Sequence, residues 1–173
     1  MARIIIVIIL LTGIFAGGLL YYNQVYAFYE DVAITPNSIE LTSVTLARPE
    51  PLLVESFEGI DSMSSPLRYR ACFTTPISLA TLTESFVIVE DAEPRVAPRW
   101  FDCFDAAQIG ADLQDEAVAF LGVENVTYGI DRIVAVYPDG RGFAWHQINE
   151  CGEVVFDGEP APEGCPTPPE STE

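Results

Sequence analysis

The longest hydrophobic stretch of the chain lies at its start. Residues 4–22 carry no charge and, before two closing tyrosines, one polar side chain, Thr12. At about 1.5 Å per helical residue they would reach roughly 28 Å, which is close to the hydrocarbon thickness of a bilayer. Aromatic residues typical of a membrane surface follow at positions 21, 22, 26, 28 and 29. The pattern predicts a transmembrane anchor over residues 1–29.

A secretory signal is the alternative interpretation of the same segment. It would also begin with a basic residue and an apolar run, and Val25-Tyr26-Ala27 resembles a cleavage site, which would release a soluble protein. The length of the run and its aromatic belt favour a retained anchor. Arg3 precedes the run whereas Glu30 and Asp31 follow it, so the positive-inside rule places the amino terminus in the cytoplasm and the remainder outside.

Beyond the anchor, the hydrophobic pattern changes to short runs with strand-like composition or alternation. They predict strands at 39–46, 52–57, 67–75, 84–90 and 117–122. A tight turn at 138–142 predicts a hairpin between 129–137 and 143–149. One helix is expected over 105–117, because Asp105 is a suitable N-cap and Ile109 and Leu113 share a face.

These elements predict an α+β fold for residues 30–156, with a small antiparallel sheet packed on one face by one short helix. Residues 157–173 are rich in Pro and Glu. We expect them to form a tail that Cys165 closes at its start and that is extended and mobile beyond that cysteine.

Four cysteines lie in the exported part, at positions 72, 103, 151 and 165. An even number in an oxidising compartment predicts two disulfides, for which three pairings are possible. We favour Cys151 with Cys165, because Gly and Pro between them let the chain turn back, and this leaves Cys72 with Cys103.

The formal net charge is −18, and every cation is an arginine. All 26 acidic residues follow residue 29. Such a surface repels phosphate backbones, which excludes nucleic acids as partners, and as a whole it also repels anionic lipid headgroups. A basic protein would be attracted. The simpler interpretation is that the charge serves solubility.

His146 is the only histidine, and it raises the possibilities of a metal centre or of an enzyme that uses it with a carboxylate. Paired cysteine spacings typical of zinc, nucleotide-binding glycine loops and a nucleophile elbow do not occur. We therefore predict no metal, cofactor or catalytic residue. On the hairpin, Trp145 faces the expected core, so His146 on the other face should be partly exposed.

Arg68 and Arg70 would lie on one side of a strand. Together they could bind carboxylates of a ligand or partner, although internal pairing with Asp or Glu is the simpler use. With His146 they form the candidate functional surface.

The segments at 21–30, 64–75, 100–110, 117–122, 128–149 and 151–166 together resemble an uncharacterised family of small membrane-anchored alphaproteobacterial proteins. The resemblance brings no activity. It implies a bacterial source, and hence an inner-membrane protein with a single span and a periplasmic domain. We expect a binding, accessory or assembly module that acts with another membrane protein or a basic periplasmic protein.

Overall fold

The structure is a computed structural model that describes residues 2–169. The helices are α1 (Ala2–Tyr22), α2 (Leu79–Ser85), α3 (Ala106–Asp112) and α4 (Glu150–Phe156). The strands are β1 (Glu30–Asp31), β2 (Glu40–Thr42), β3 (Pro49–Pro51), β4 (Ser56–Asp61), β5 (Arg70–Thr74), β6 (Val118–Thr127), β7 (Ile130–Val136) and β8 (Arg141–Ile148). Residues 170–173 of the predicted tail lie outside the described residues.

Helix α1 continues through a π-helical turn, Asn23–Ala27, and leads into β1. The stretch Arg3–Ala27 is long and apolar enough to cross a membrane, and no residue of its most apolar 18-residue window is buried. The predicted apolar helix is therefore confirmed.

The main sheet has six antiparallel strands in the order β1-β4-β5-β8-β7-β6. Its centre is the predicted hairpin, in which β7 and β8 pair from Ile130 opposite Ile148 to Val136 opposite Gly142. This confirms the α+β class with an antiparallel sheet.

Both faces of the sheet are covered, whereas the sequence predicted cover on one. On the first face, the two-stranded sheet β2-β3 and Leu82 of α2 pack on alternate residues of the central strands, including Val134 and Ala144. On the second face, Ile109 of α3 and the segment before it pack on the other alternate residues, including Trp145. A sheet enclosed in this way has no solvent face at its centre.

The predicted strand at 84–90 is wrong. Ser78 caps α2, whose last residue is Ser85, and only two isolated bridges follow, at Phe86 and Ile88. Helix α4 was missed, although Asn149 caps it with a hydrogen bond from the Gly152 amide.

The helix predicted over 105–117 is present in its first half only. The Asp105 carboxylate accepts hydrogen bonds from the amides of Ala107 and Gln108, as expected of its N-cap, and the helix ends at Asp112.

Both predicted disulfides are present. Cys72 on β5 is bonded to Cys103, and Cys151 in α4 is bonded to Cys165. The first fastens the segment before α3 to the middle of the sheet. Paired cysteines are typical of an oxidising, extracytoplasmic environment.

Candidate functional site

One end of the sheet adjoins the segment predicted to be the anchor, α1 and the π-helical turn after it, and we call it the anchor-proximal end. Strand β1 follows the anchor directly, and its Glu30 pairs with Asp61 at the end of β4. Strand β5 begins there with Arg70, opposite Trp145 of β8. The loops at residues 62–69 and 94–100 cover this end. All three predicted surface residues lie here, so the structure brings Arg68, Arg70 and His146 together.

Arg70 is 4% exposed and its guanidinium binds backbone carbonyls from both loops. Its Nη1 donates to the Leu67 oxygen at 2.8 Å and to the Tyr69 oxygen at 2.6 Å. Its Nε donates to the Arg95 oxygen at 2.7 Å, and its Nη2 to the Val96 oxygen at 3.2 Å. The expectation that Arg70 pairs with Asp or Glu is wrong within the described residues.

Hydrogen bonds to the carbonyls help the buried Arg70 side chain to remain protonated. Desolvation lowers the pKa of Arg70 to about 10, so the side chain is still protonated at neutral pH. A planar guanidinium with several donors suits this role, because each donor finds one partly negative oxygen. Arg70 thereby ties one loop to the other.

His146 is 5% exposed, and the predicted partial exposure is wrong because the 62–69 loop covers the ring through Pro66 and Tyr69. Arg132 Nε donates to His146 Nε2 at 3.1 Å. Arginine has no acceptor, so Nε2 must accept and the proton lies on Nδ1. Nδ1 then donates to the Pro66 carbonyl at 2.6 Å. The ring also stacks on Tyr69, with centroids 4.7 Å apart.

The environment of His146 keeps the imidazole neutral. Burial lowers its pKa to about 4, opposed by the Pro66 bond and aided by the positive charges of Arg132 and Arg70. Neither ring nitrogen is open to a substrate proton or a metal ion in this arrangement. The geometry therefore gives no support to an enzyme that uses His146.

Arg68 lies in a 3₁₀ turn, Pro66–Arg68, and not on a strand face beside Arg70. Its guanidinium carbon lies 5.4 Å from the centroid of the Tyr29 ring, just after the anchor. This is a cation–π contact with the segment that leads out of α1. Arg68 thus belongs to the joint between the anchor and the sheet.

Trp100 makes the second part of that joint. Its indole Nε1 donates to the Val25 carbonyl at 2.7 Å. Its ring stacks on Tyr26, with centroids 6.0 Å apart, and meets Tyr29 edge-on at 5.6 Å. The predicted aromatic belt therefore contacts the 94–100 loop.

An acidic cleft of about 450 Å³ opens beside this end of the sheet. Its charged lining comprises Asp91, Glu93, Arg95, Asp131, Glu150 and Glu153. Gln147 holds the 91–93 segment in place, because its amide nitrogen donates to the Asp91 carbonyl and its amide oxygen accepts from the Glu93 amide.

The sequence did not single out this cleft. Its carboxylates come from three segments that are separate in sequence. They come together because the 89–95 segment runs past β7, β8 and α4 in the fold. Each segment alone resembles an ordinary solvated acidic stretch. Among residues 2–169, no group of His, Cys, Asp or Glu side chains is placed to hold a metal ion.

Comparison with known proteins finds one family. No curated protein and no solved structure matches the chain. The model of a family of unknown function, DUF6446, matches residues 39–166, which is well over half of the chain and includes both disulfides and both covering loops. The chain therefore belongs to DUF6446, a family of unknown function.

Proposed function

We propose that this protein is a single-pass inner-membrane protein whose periplasmic body binds a basic segment of a partner in the acidic cleft. Residues 1–29 are the anchor, 30–156 the folded body and 157–173 the tail. The amino terminus is cytoplasmic. The partner is another membrane protein or a basic periplasmic protein, and the protein serves it as an accessory or assembly module.

The acidic cleft carries this proposal. It contains five carboxylates and one arginine, and its lining residues include Asp131 and Ile133 near the start of β7. A cationic segment would gain attraction from several carboxylates at once, which favours fast and specific association. The cleft lies near the anchor, so a partner embedded in the same bilayer is within reach.

The carboxylates of the cleft are available for a partner. The side chains of Asp91, Glu93 and Glu153 are exposed. Within the described residues, none of the three forms a salt bridge or a side-chain hydrogen bond. They can therefore be neutralised without loss of a contact that the fold needs.

The joint at Trp100 supports the same proposal. Its hydrogen bond to Val25 and the stacking on Tyr26 hold the body against the end of the anchor. A body fixed in this way presents the cleft in one orientation relative to the bilayer. Such pre-orientation reduces the entropy lost when a partner binds.

Crosslinking in intact membranes, followed by affinity purification and mass spectrometry, tests this proposal. The full chain is compared with the variant Asp91→Asn/Glu93→Gln/Glu153→Gln. The matched control, Asp157→Asn/Glu159→Gln/Glu163→Gln, removes the same charge from the exposed tail. We expect a partner that is crosslinked to the wild type and the control and is lost or strongly reduced with the cleft variant.

Two results would contradict the proposal. Equal loss of the partner from both variants would mean that general charge, and not the cleft, attracts it. If no membrane or basic protein is ever crosslinked to the wild type, the accessory role itself fails. Protease access to the body in intact spheroplasts, together with amino-terminal sequencing of the mature chain, tests topology and cleavage separately.

A further inference from the structure

The two most exposed large hydrophobic side chains of the described residues lie on the two covering loops. Met63 is 95% exposed and Val96 is 83% exposed, more than any large hydrophobic side chain of α1, where the most exposed is Phe15 at 73%. Single exposed apolar residues are common on protein surfaces. Here, however, both stand on loops at the anchor-proximal end, one on each.

Val96 stands between two exposed arginines, Arg95 and Arg99. Neither forms a salt bridge with a carboxylate of the described residues, although the chain has 26 acidic side chains. The salt bridges found are elsewhere, between Arg48 and Glu50 and between Arg141 and Asp139. The 94–100 loop therefore presents an apolar tip flanked by two exposed arginines that form no ion pair, although Arg95 also lines the acidic cleft.

The position of the loops relative to the anchor is set by contacts described above. Trp100, next to Arg99, donates to the carbonyl of Val25 at the end of the apolar stretch. Arg70 ties the 62–69 loop to the 94–100 loop through Leu67 and Val96. Both tips are thus held near the level where a spanning helix leaves the hydrocarbon.

We propose that the two loops dock on the bilayer that the anchor crosses. Arg95 and Arg99 bind the phosphates of anionic phospholipid headgroups, and Val96 and Met63 enter the headgroup layer. Arginine and exposed apolar side chains are the combination that peripheral membrane surfaces use. Docking rests on the proposed anchoring, and it fixes the tilt of the body and thereby the direction of the acidic cleft.

The net charge of the body does not oppose this local contact. Charges farther away than about a Debye length, roughly 8 Å at physiological salt, are largely screened. Glu30, Asp31 and Glu93 also lie at this end, so the attraction is confined to the loop tips. The expectation from overall charge, that anionic lipids are repelled, then applies to the rest of the body.

Hydrogen exchange of the full chain in lipid nanodiscs tests docking. One nanodisc contains phosphatidylcholine alone, and the other contains phosphatidylcholine and phosphatidylglycerol in equal parts. Within residues 2–169, the amides of Met63, Arg95, Val96 and Ala97 make no hydrogen bond. Slow exchange at these amides must therefore come from cover outside the loops.

Each arginine beside an anionic leaflet is expected to favour the docked state by about fivefold. We expect exchange in both loops to be about tenfold slower, or more, with phosphatidylglycerol than without it. The variant Arg95→Gln/Arg99→Gln should lose most of this difference. The matched control Arg48→Gln/Arg141→Gln, which removes two exposed arginines elsewhere, should keep it.

Equal exchange in the two lipids, or equal loss in the two variants, would overturn docking. These results are distinct from failure of the proposed anchoring, which is scored first as retention of the chain in the nanodisc after alkaline carbonate. A chain that stays in the disc but shows no lipid-dependent protection is anchored and not docked. A chain that leaves the disc refutes the anchor, and docking with it.

Discussion

The two ends of the main sheet use arginine in opposite ways. At the anchor-proximal end, Arg70 is buried and donates to backbone carbonyls of two loops. At the other end, which we call the turn end, Arg141 pairs with Asp139 at 2.7 Å, and each side chain is 56% exposed. The same residue type thus fixes backbone at one end and forms a solvated ion pair at the other.

The difference shows where this fold is rigid. A buried guanidinium whose partners are carbonyls cannot be removed without leaving polar oxygens unsatisfied, and each such loss costs about 1–3 kcal/mol. An exposed pair competes with water, and typical pairs of this kind contribute about 0–1 kcal/mol. Rigidity is therefore concentrated at the anchor-proximal end of the sheet.

Removal of the Arg70 side chain should have the largest effect. We expect Arg70→Met to lower the free energy of unfolding by about 3–5 kcal/mol, because the loop carbonyls lose their donors. Urea unfolding of the full chain in detergent micelles, followed by tryptophan fluorescence, measures this. Arg70→Lys keeps the charge but offers fewer directed donors, so its free energy of unfolding should lie between those of the wild type and Arg70→Met. If Arg70→Met lowered the free energy of unfolding by less than about 1 kcal/mol, the contrast between the two ends of the sheet would be contradicted, since that is the range of an exposed ion pair.

The sequence predicted much of the fold at the level of patterns. Alternation on either side of the 138–142 turn predicted the central hairpin. The even number of cysteines, with Gly and Pro between Cys151 and Cys165, predicted both disulfides. The hairpin depends on local periodicity, which is visible in the sequence. The disulfides depend on a choice among three possible pairings, which can be listed from the sequence alone.

The chemistry of the anchor-proximal end could not be predicted in the same way. Arg70 binds main-chain carbonyl oxygens. Every residue has such an oxygen, so the sequence does not indicate which of them an arginine will bind. His146 was assigned to a solvated face because alternation predicts which residues share a face, but not whether a second layer covers that face. The cover over His146 comes from the 62–69 loop, which is distant in sequence from β8.

The disulfide between Cys72 and Cys103 should have the second largest effect. It fastens the segment that follows the 94–100 loop, so it and Arg70 hold that segment at two points. Cys72→Ala/Cys103→Ala should lower the free energy of unfolding by about 3–4 kcal/mol in the chain-entropy model. Hydrogen exchange in residues 94–104 should also become faster. Cys151→Ala/Cys165→Ala is the control, because it removes a disulfide but should leave exchange in that segment unchanged.

The third prediction concerns pH and His146. Its pKa is about 4 in the folded protein, against about 6.5 when unfolded. Between these values the unfolded chain binds more protons, so stability is complete above pH about 6.5 and falls as pH drops toward about 4. The total loss from this group is about 3 kcal/mol.

His146→Gln isolates that contribution. The neighbouring Asp61 has a pKa raised mainly by burial, and it therefore acts in the opposite direction, with stability lost as pH rises through its folded pKa. Asp61 is retained in the variant, so the difference in pH slope between wild type and variant belongs to His146. Urea unfolding at a series of pH values measures both slopes. Identical slopes would show that His146 is not held neutral by burial.

The smallest effect is expected at the turn end, and it sets the scale for the others. Arg141→Gln removes the pair with Asp139 and weakens the cover of the Tyr137 ring, 4.6 Å from the Arg141 guanidinium carbon. Both partners are largely exposed, so we expect a loss of about 0.5 kcal/mol or less. Near about 1 M salt the difference from wild type should shrink further, since exposed charges are then screened within about 3 Å. The loss in Arg70→Met should persist in the same salt, because its donors and acceptors are shielded from solvent. If Arg141→Gln lowered the free energy of unfolding as much as Arg70→Met does, and independently of salt, the two ends of the sheet would be equally rigid. The anchor-proximal end would then not be the more rigid one.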